Sequence, residues 1–331
     1  MVVSEFSWLC RYSKPIYVHG RNIRVLSTPQ DFYGALLSGV RTAQRRIVLS
    51  SLYLGTGKHE QELVECLGSA LSDGARPHLR CSVLLDCLRG TRGHPNSVSL
   101  LRPLLSGPHG DRFSLHLYHT PNLRGLLRKV FPARLNEGMG LQHTKIYVFD
   151  DSLLLSGANL SRDYFTNRQD RYMLFSDSTR LADYFSRVAQ TIADHSYCVG
   201  SDEELRPALE FDHLTSRANS VKYRRIISDS VRNLLRSEQS INCQSNSGSG
   251  GTRREILPCS PSSRWGNTEY GRRKRRQSDS WLGCRQERDC VSPRATSTCH
   301  LATSRPCWEL EETYLYWLPL LRHLVSLGLG V

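Results

Sequence analysis

Apolar and polar positions along the first 200 residues alternate between short strand-like runs and longer helical stripes. Residues 23–27 (IRVLS), 45–54 (RRIVLSSLYL), 79–88 (LRCSVLLDCL) and 112–119 (RFSLHLYH) are β-branched or leucine-rich runs of strand length. Between them, residues 28–44 place Phe32, Leu36, Leu37 and Val40 at helical spacing, behind Thr28 as a cap and Pro29 in the first turn. Residues 59–74 place Leu63, Cys66, Leu67 and Leu71 on one face, and Gly74 stops the pattern. Residues 97–107 predict a short helix containing a proline. Residues 142–150 and 152–161 predict two strands joined by almost nothing, with Asp150 and Asp151 in the turn. A further strand is expected over 170–177 and a long amphipathic helix over 178–197. This order predicts a layered α/β domain with a mixed sheet.

The hairpin carries the chemistry. Residues 141–159 (LQHTKIYVFDDSLLLSGAN) contain H-x-K, then Asp150, then Gly157 and Asn159. In a strand, His143 and Lys145 project from one face. An imidazole that titrates near neutrality and an ammonium would then stand side by side. The returning strand brings Gly157, which permits close backbone approach, and Asn159, which offers amide donors. Phosphoryl transfer needs this combination of nucleophile, positive charge and oxygen-binding donors.

Composition adds direction. The net charge of +13 favours anionic partners, and the excess is spread over both the first 240 residues and the remainder. Eleven cysteines in 331 residues form neither a zinc spacing nor a C-x-x-C pair, and Cys66, Cys81 and Cys87 sit in apolar runs as small buried thiols do. No secretory core precedes residue 23. The most apolar stretch, 314–331, is broken by Pro319, Arg322 and His323, so no transmembrane helix is expected. Beyond residue 240 the chain turns Ser-, Gly- and Arg-rich over 245–280 and loses apolar periodicity. Four segments are therefore expected: an N-terminal extension (1–22), a catalytic domain (23–200), a helical connector (201–240) and a low-complexity, disordered tail (241–331).

The five-residue motif resembles that of the phospholipase D superfamily. Together with SLYLGTG, LLDCLRGTRG and GANLSRDYFTNRQDRY, it is most similar to the mitochondrial phosphatidylglycerophosphate synthases, over about residues 6–240. The resemblance implies a phospholipase-D-like α/β/α sandwich, of which this chain holds one catalytic half followed by an irregular tail. It implies transfer of a phosphatidyl group from CDP-diacylglycerol to glycerol 3-phosphate with release of CMP, a mitochondrial location, peripheral contact with an anionic membrane, and no metal or other cofactor. No nucleic-acid partner is expected. Carried over, His143 is the nucleophile or the acid for the leaving group. Lys145 and Asn159 hold phosphate oxygens, Asp150 orients the histidine network and Gly157 shapes the pocket. Ala158 stands where many members have serine, which removes one donor.

One departure matters. The superfamily builds its site from two facing motifs, and none of the other histidines in this chain belongs to a second H-x-K. The alternatives are a homodimer that completes the site, acting as a phosphodiesterase or nuclease, or an inactive form. Weaker signals stay open. Gly55, Thr56, Gly57 and Lys58 either contact a nucleotide or only turn the chain into the next helix. Arg89 and Arg92 follow a strand where open α/β sheets place ligands, and either bind phosphate or line a solvated loop. Residues 123–135 combine basic and apolar side chains as membrane-surface helices do, and 271–277 (GRRKRRQ) is a basic run.

Overall fold

The apolar runs pair edge to edge because each carries side chains for two faces. In the computed structural model, which describes residues 16–122, 141–202, 204–240 and 313–315, they form a nine-stranded mixed sheet. The strands are β2 (Ile23–Leu26), β3 (Arg46–Ser50), β4 (Arg80–Asp86), β5 (Phe113–Tyr118), β6 (Ile146–Phe149), β7 (Ser152–Ser156), β8 (Tyr172–Phe175), β9 (Tyr197–Val199) and β10 (Leu205–Pro207). Their order is β10-β9-β5-β4-β3-β6-β7-β8-β2. Strands β3, β4 and β5 are parallel, whereas β6 runs antiparallel to β3. Every described residue belongs to one compact unit.

Helices cover both faces, as the resemblance implies for this fold. On one side lie α1 (Pro29–Thr42), α2 (Lys58–Ser72), α4 (Ser97–Ser106) and α5 (Arg162–Thr166), with the one-turn α3 (Cys87–Gly90) after β4. Helix α1 begins as its sequence predicts. Thr28 and Asp31 form a capping box, and Phe32, Leu36, Leu37 and Val40 are buried. Phe32 stacks on Tyr172 at 4.8 Å between ring centroids and meets Tyr147 at 5.8 Å. On the other side, α6 (Thr179–Ala193) and α7 (Arg217–Ser240) bury Leu181, Tyr184, Val188, Tyr223 and Ile227 against Ile146, Val148 and Leu153. No helix among the described residues is long and apolar enough to cross a membrane. The described cysteines Cys66, Cys81, Cys87 and Cys198 are free thiols, and burial pushes the Cys66 and Cys81 thiols up.

The core reaches beyond residues 23–200. Ile16 and Val18 of β1 (Ile16–Val18) are buried in the α6–α7 layer, so part of the expected extension is core. The expected connector supplies Tyr223, Ile227 and Val231 to the same layer. Thr313–Leu315, within the expected tail, forms β11 and pairs antiparallel with β1. The rest of that tail, with the basic run at 271–277, and the basic-apolar stretch at 123–135 lie outside the described residues.

The expected strand over 142–150 is shorter than its pattern. Pairing with β3 stops at Ser50↔Ile146, so His143 and Lys145 precede β6 rather than lie within it. Their neighbours Gln142 and Thr144 are tied to β3 by side-chain bonds. Thr144 Oγ1 is 2.7 Å from Ser50 Oγ, and Gln142 Nε2 donates to Ser50 Oγ at 2.5 Å and Thr144 Oγ1 at 2.6 Å.

Asp150 corrects the sequence reading. Its carboxylate accepts the backbone amides of Gln44 (2.7 Å), Arg45 (2.8 Å) and Arg46 (3.0 Å), where the chain enters β3. All of β6, about 13 Å at 3.3 Å per residue, separates it from Lys145. It therefore cannot orient His143. Asp150 stands at φ 50°, a left-handed turn conformation that Asp and Asn tolerate better than most residues. Burial alone would raise its carboxyl. The amides of Gln44, Arg46 and Arg45, and the Arg45 charge, outweigh this and hold it below the ordinary range. The stabilisation is thus complete above the unfolded-chain value of about 4 and is lost as pH falls through the lower folded value. Asp150→Asn keeps the turn and removes the charge. It should lower stability at pH 7 by about 1–2 kcal/mol, a figure discounted for partial exposure. Urea unfolding would show a lower midpoint, and the gap from wild type should close below about pH 4. A gap that widens in acid would refute this role.

Candidate active site at the sheet edge

Three parallel strands end where one antiparallel strand begins, and the polar residues of the motif gather at that edge. Ser50, Asp86 and Tyr118 close β3, β4 and β5. His143 and Lys145 lead into β6, Gly157 and Asn159 follow β7, and Asp170 leads into β8. The hairpin thus brings back Gly157 and Asn159 as the sequence predicts.

Lys145 is 4% exposed, and its Nζ donates to the His143 carbonyl at 2.8 Å. Burial lowers its amine to about 7, and the nearby Asp170 carboxylate pulls in the opposite direction. Near neutral pH it therefore exchanges between ammonium and amine. The Asp170 carboxylate also accepts the Gly157 amide at 3.0 Å. A Cβ on Gly157 would lie 2.7 Å from that carboxylate, so the glycine is required by a close approach. Asp170 thereby links the G-A-N turn to the lysine. Nothing in its sequence surroundings marks it, because it precedes an ordinary strand run.

Asn159 is 5% exposed, and its buried Oδ1 has no hydrogen-bond partner among the described residues. The amide keeps hydrogen-bonding capacity at the site. Ala158 is fully buried, and its carbonyl accepts the Tyr147 hydroxyl at 2.7 Å, so the residue in the serine position packs inward.

Asp86 holds the histidine segment from the other side. It is 1% exposed. Its Oδ1 accepts the Arg89 amide at 3.0 Å and its Oδ2 accepts the Gln142 amide at 3.1 Å. One buried carboxylate therefore fixes both α3 and the residue before His143. The Arg89 guanidinium sits 4.9 Å from the centre of the Tyr53 ring, whose hydroxyl lies 3.3 Å from Ser161 Oγ. Arg89 is thus directed toward the segment that follows Asn159. Arg92 lies past the end of α3 and is exposed.

The loop of Gly55, Thr56, Gly57 and Lys58 borders the site, since the Gly55 amide donates to the Leu160 carbonyl at 2.8 Å. Its glycines make room for a neighbouring side chain. Glu60, 1% exposed, accepts the Arg162 amide, and its carboxylate lies against the Gly55 and Gly57 positions where a Cβ would stand. Gly57 then caps α2. The turn-and-cap reading is the one this geometry favours. Among the described residues no cluster of His, Cys, Asp and Glu could hold a metal ion.

No protein-family model matches the chain. It is 46% identical over 206 residues, 61% of its length, to the mitochondrial CDP-diacylglycerol–glycerol-3-phosphate 3-phosphatidyltransferase of Gallus gallus. It is 53% identical over 174 residues, 52% of its length, to the enzyme of the same name from Schizosaccharomyces pombe. The chain spans just over a third of the length of these relatives, 37% and 34%. Among solved structures, phosphatidylserine synthase of Haemophilus influenzae shares the fold at a TM-score of 0.50 and 22% identity, over 65% of this chain and 46% of that one. With its H-x-K motif at the edge of such a sheet, the chain is homologous over about three fifths of its length to enzymes named CDP-diacylglycerol–glycerol-3-phosphate 3-phosphatidyltransferase.

Proposed function

We propose that this chain carries the nucleophilic half of a phosphatidyltransferase that moves a phosphatidyl group from CDP-diacylglycerol to glycerol 3-phosphate. The observation that carries the reading is the gathering of His143, Lys145, Gly157 and Asn159 at one sheet edge, in a chain 46% identical to enzymes of that name. The His143 imidazole attacks the phosphatidyl phosphorus. A nitrogen–phosphorus bond forms as the bond to CMP breaks, and CMP leaves with the electron pair. A hydroxyl of glycerol 3-phosphate then attacks the phosphohistidine, loses its proton and restores the imidazole. Lys145, in its ammonium form, and the Asn159 amide neutralise and orient the phosphate oxygens. Arg89, and Arg92 beyond it, supply charge for the acceptor's phosphate. Asp86 positions His143 through the Gln142 amide, and Asp170 positions Lys145. The two-step chemistry needs no metal, because the protein's own cations face the phosphate. The animal relatives are named as mitochondrial, and we place this chain there on that likeness.

A second reading has its own support. The chain holds one H-x-K, so a proton donor for the departing CMP must come from elsewhere. A second copy facing the same edge would supply it, with water as acceptor in a phosphodiesterase or nuclease. A chain that finds no such partner would be inactive.

In an assay of CMP release with CDP-diacylglycerol and glycerol 3-phosphate, His143→Ala should reduce turnover by at least about 10³-fold while the fold survives. Release of CMP with water alone as acceptor would favour the second reading. Asp170→Asn removes the charge that supports the Lys145 ammonium. Activity that depends on this ammonium falls as pH rises through about 7 in the wild type, and the variant should lose it at lower pH. An unmoved alkaline limb would remove Asp170 from this role.

A further inference from the structure

Helix α6 covers its face of the sheet unevenly. Over β6 and β7 it packs on Ile146, Val148 and Leu153. Toward β4 and β5 the same face carries hydroxyls. Ser82 and Ser114 stand opposite one another in this parallel pair, half-buried, where a helix-covered parallel strand ordinarily presents large apolar side chains. Such small residues leave space. A cavity of about 650 Å³ opens between α6 and the beginnings of β3, β4 and β5, lined by Ser82, Ser114 and, from the helix, Ser186. The Ser186 Oγ is buried and has no hydrogen-bond partner among the described residues. A hydroxyl withdrawn from water in this way is costly until a ligand atom completes it.

Charge narrows the choice of ligand. Among the described residues, four arginines and two aspartates line the cavity. Arg46 is matched by Asp183 at 2.5 Å. Arg80 and Arg112 have neutral partners instead. Arg80 donates to the Asp111 carbonyl at 3.4 Å, and Arg112 donates to the carbonyls of Leu71 at 2.5 Å and Arg76 at 3.1 Å. Neither makes an ion pair among the described residues, so their charge is held in place without being neutralised. The Asp111 residue is exposed, where water and salt screen it.

We infer that this cavity is a second binding site, separate from the histidine edge, for a small phosphorylated compound. A phosphate monoester carries about two negative charges near pH 7, which matches the excess of arginine over aspartate. Its oxygens suit guanidinium and hydroxyl donors together. The volume falls in the range of small-molecule sites and leaves room for an organic part beside the phosphate. Strand β4 runs from this cavity to the other edge, and Arg80 to Asp86 spans about 20 Å at 3.3 Å per residue. A ligand here therefore leaves His143 untouched, and the inference stands apart from the transferase reading.

Equilibrium dialysis of the full chain tests this with ribose 5-phosphate, inorganic phosphate and acetate as probes. Ribose 5-phosphate should bind saturably and acetate should not. Arg80→Ala should weaken binding by at least about tenfold. Ser114→Leu, which fills the space, should weaken it too. Arg24→Ala removes an equal charge from another strand and should preserve binding, as should His143→Ala; thermal melts check that each variant folds. Inorganic phosphate that binds as tightly, with the same dependence on Arg80, would support the site and assign it to the free ion. Absence of saturable binding, equal losses in Arg80→Ala and Arg24→Ala, or binding lost in His143→Ala and kept in Arg80→Ala would overturn the inference.

Discussion

Strand β6 hydrogen-bonds antiparallel to β3 from Ile47↔Phe149 to Ser50↔Ile146, and that pairing decides where each functional group stands. Because β6 opposes its parallel neighbours, its beginning lies where they end. The segment before β6 therefore meets the C-terminal ends of β3 and β4, and the hairpin partner β7 ends beside it. A parallel β6 would have carried His143 to the opposite edge, away from Asp86. Backbone pairing supplies the coarse placement. Carboxylates supply the fine placement, with Asp86 on one side of His143 and Asp170 behind Lys145.

The site is made of polar groups withdrawn from water, which is costly unless they are partnered. The Ser50 and Thr144 hydroxyls and the Gln142 NH2 meet this condition together, whereas Gln142 Oε1 has no hydrogen-bond partner among the described residues. Lys145 meets it incompletely, and its lowered basicity is the result. In the proposed mechanism an arriving phosphate restores the ammonium that burial disfavours. Glu60 shows the opposite sign close by. Its carboxylate lies against Gly55 and Gly57 and accepts the Arg162 amide, which ties that loop to α5.

Much of the fold was legible because burial imposes period. The stripe of Phe32, Leu36, Leu37 and Val40 and the run from Cys81 to Leu85 could each pack in one way. The motif was legible because its spacing matches a tight hairpin. Four features were hidden. Asp170 looks like any polar residue before a strand, and its meaning depends on Gly157 thirteen positions earlier. Asp86 was visible at the end of an apolar run, yet its hold on Gln142 spans 56 positions. Asp150 was misassigned because spacing along the chain does not reveal which end of a strand a residue occupies. The core contributions of Ile16 and Val18 were missed because three residues are too few to show a period.

The position of Asp150 separates two demands that one motif appears to join. In the proposed mechanism the histidine and lysine answer to a reaction, whereas the aspartate answers to the way the chain enters its central strand. Lineages that abandon the reaction while keeping the fold would feel no pressure on the first two and undiminished pressure on the third. A descendant with the aspartate intact and the histidine replaced would be recognisable as a retired enzyme, and retention of the aspartate alone would be no evidence of catalysis.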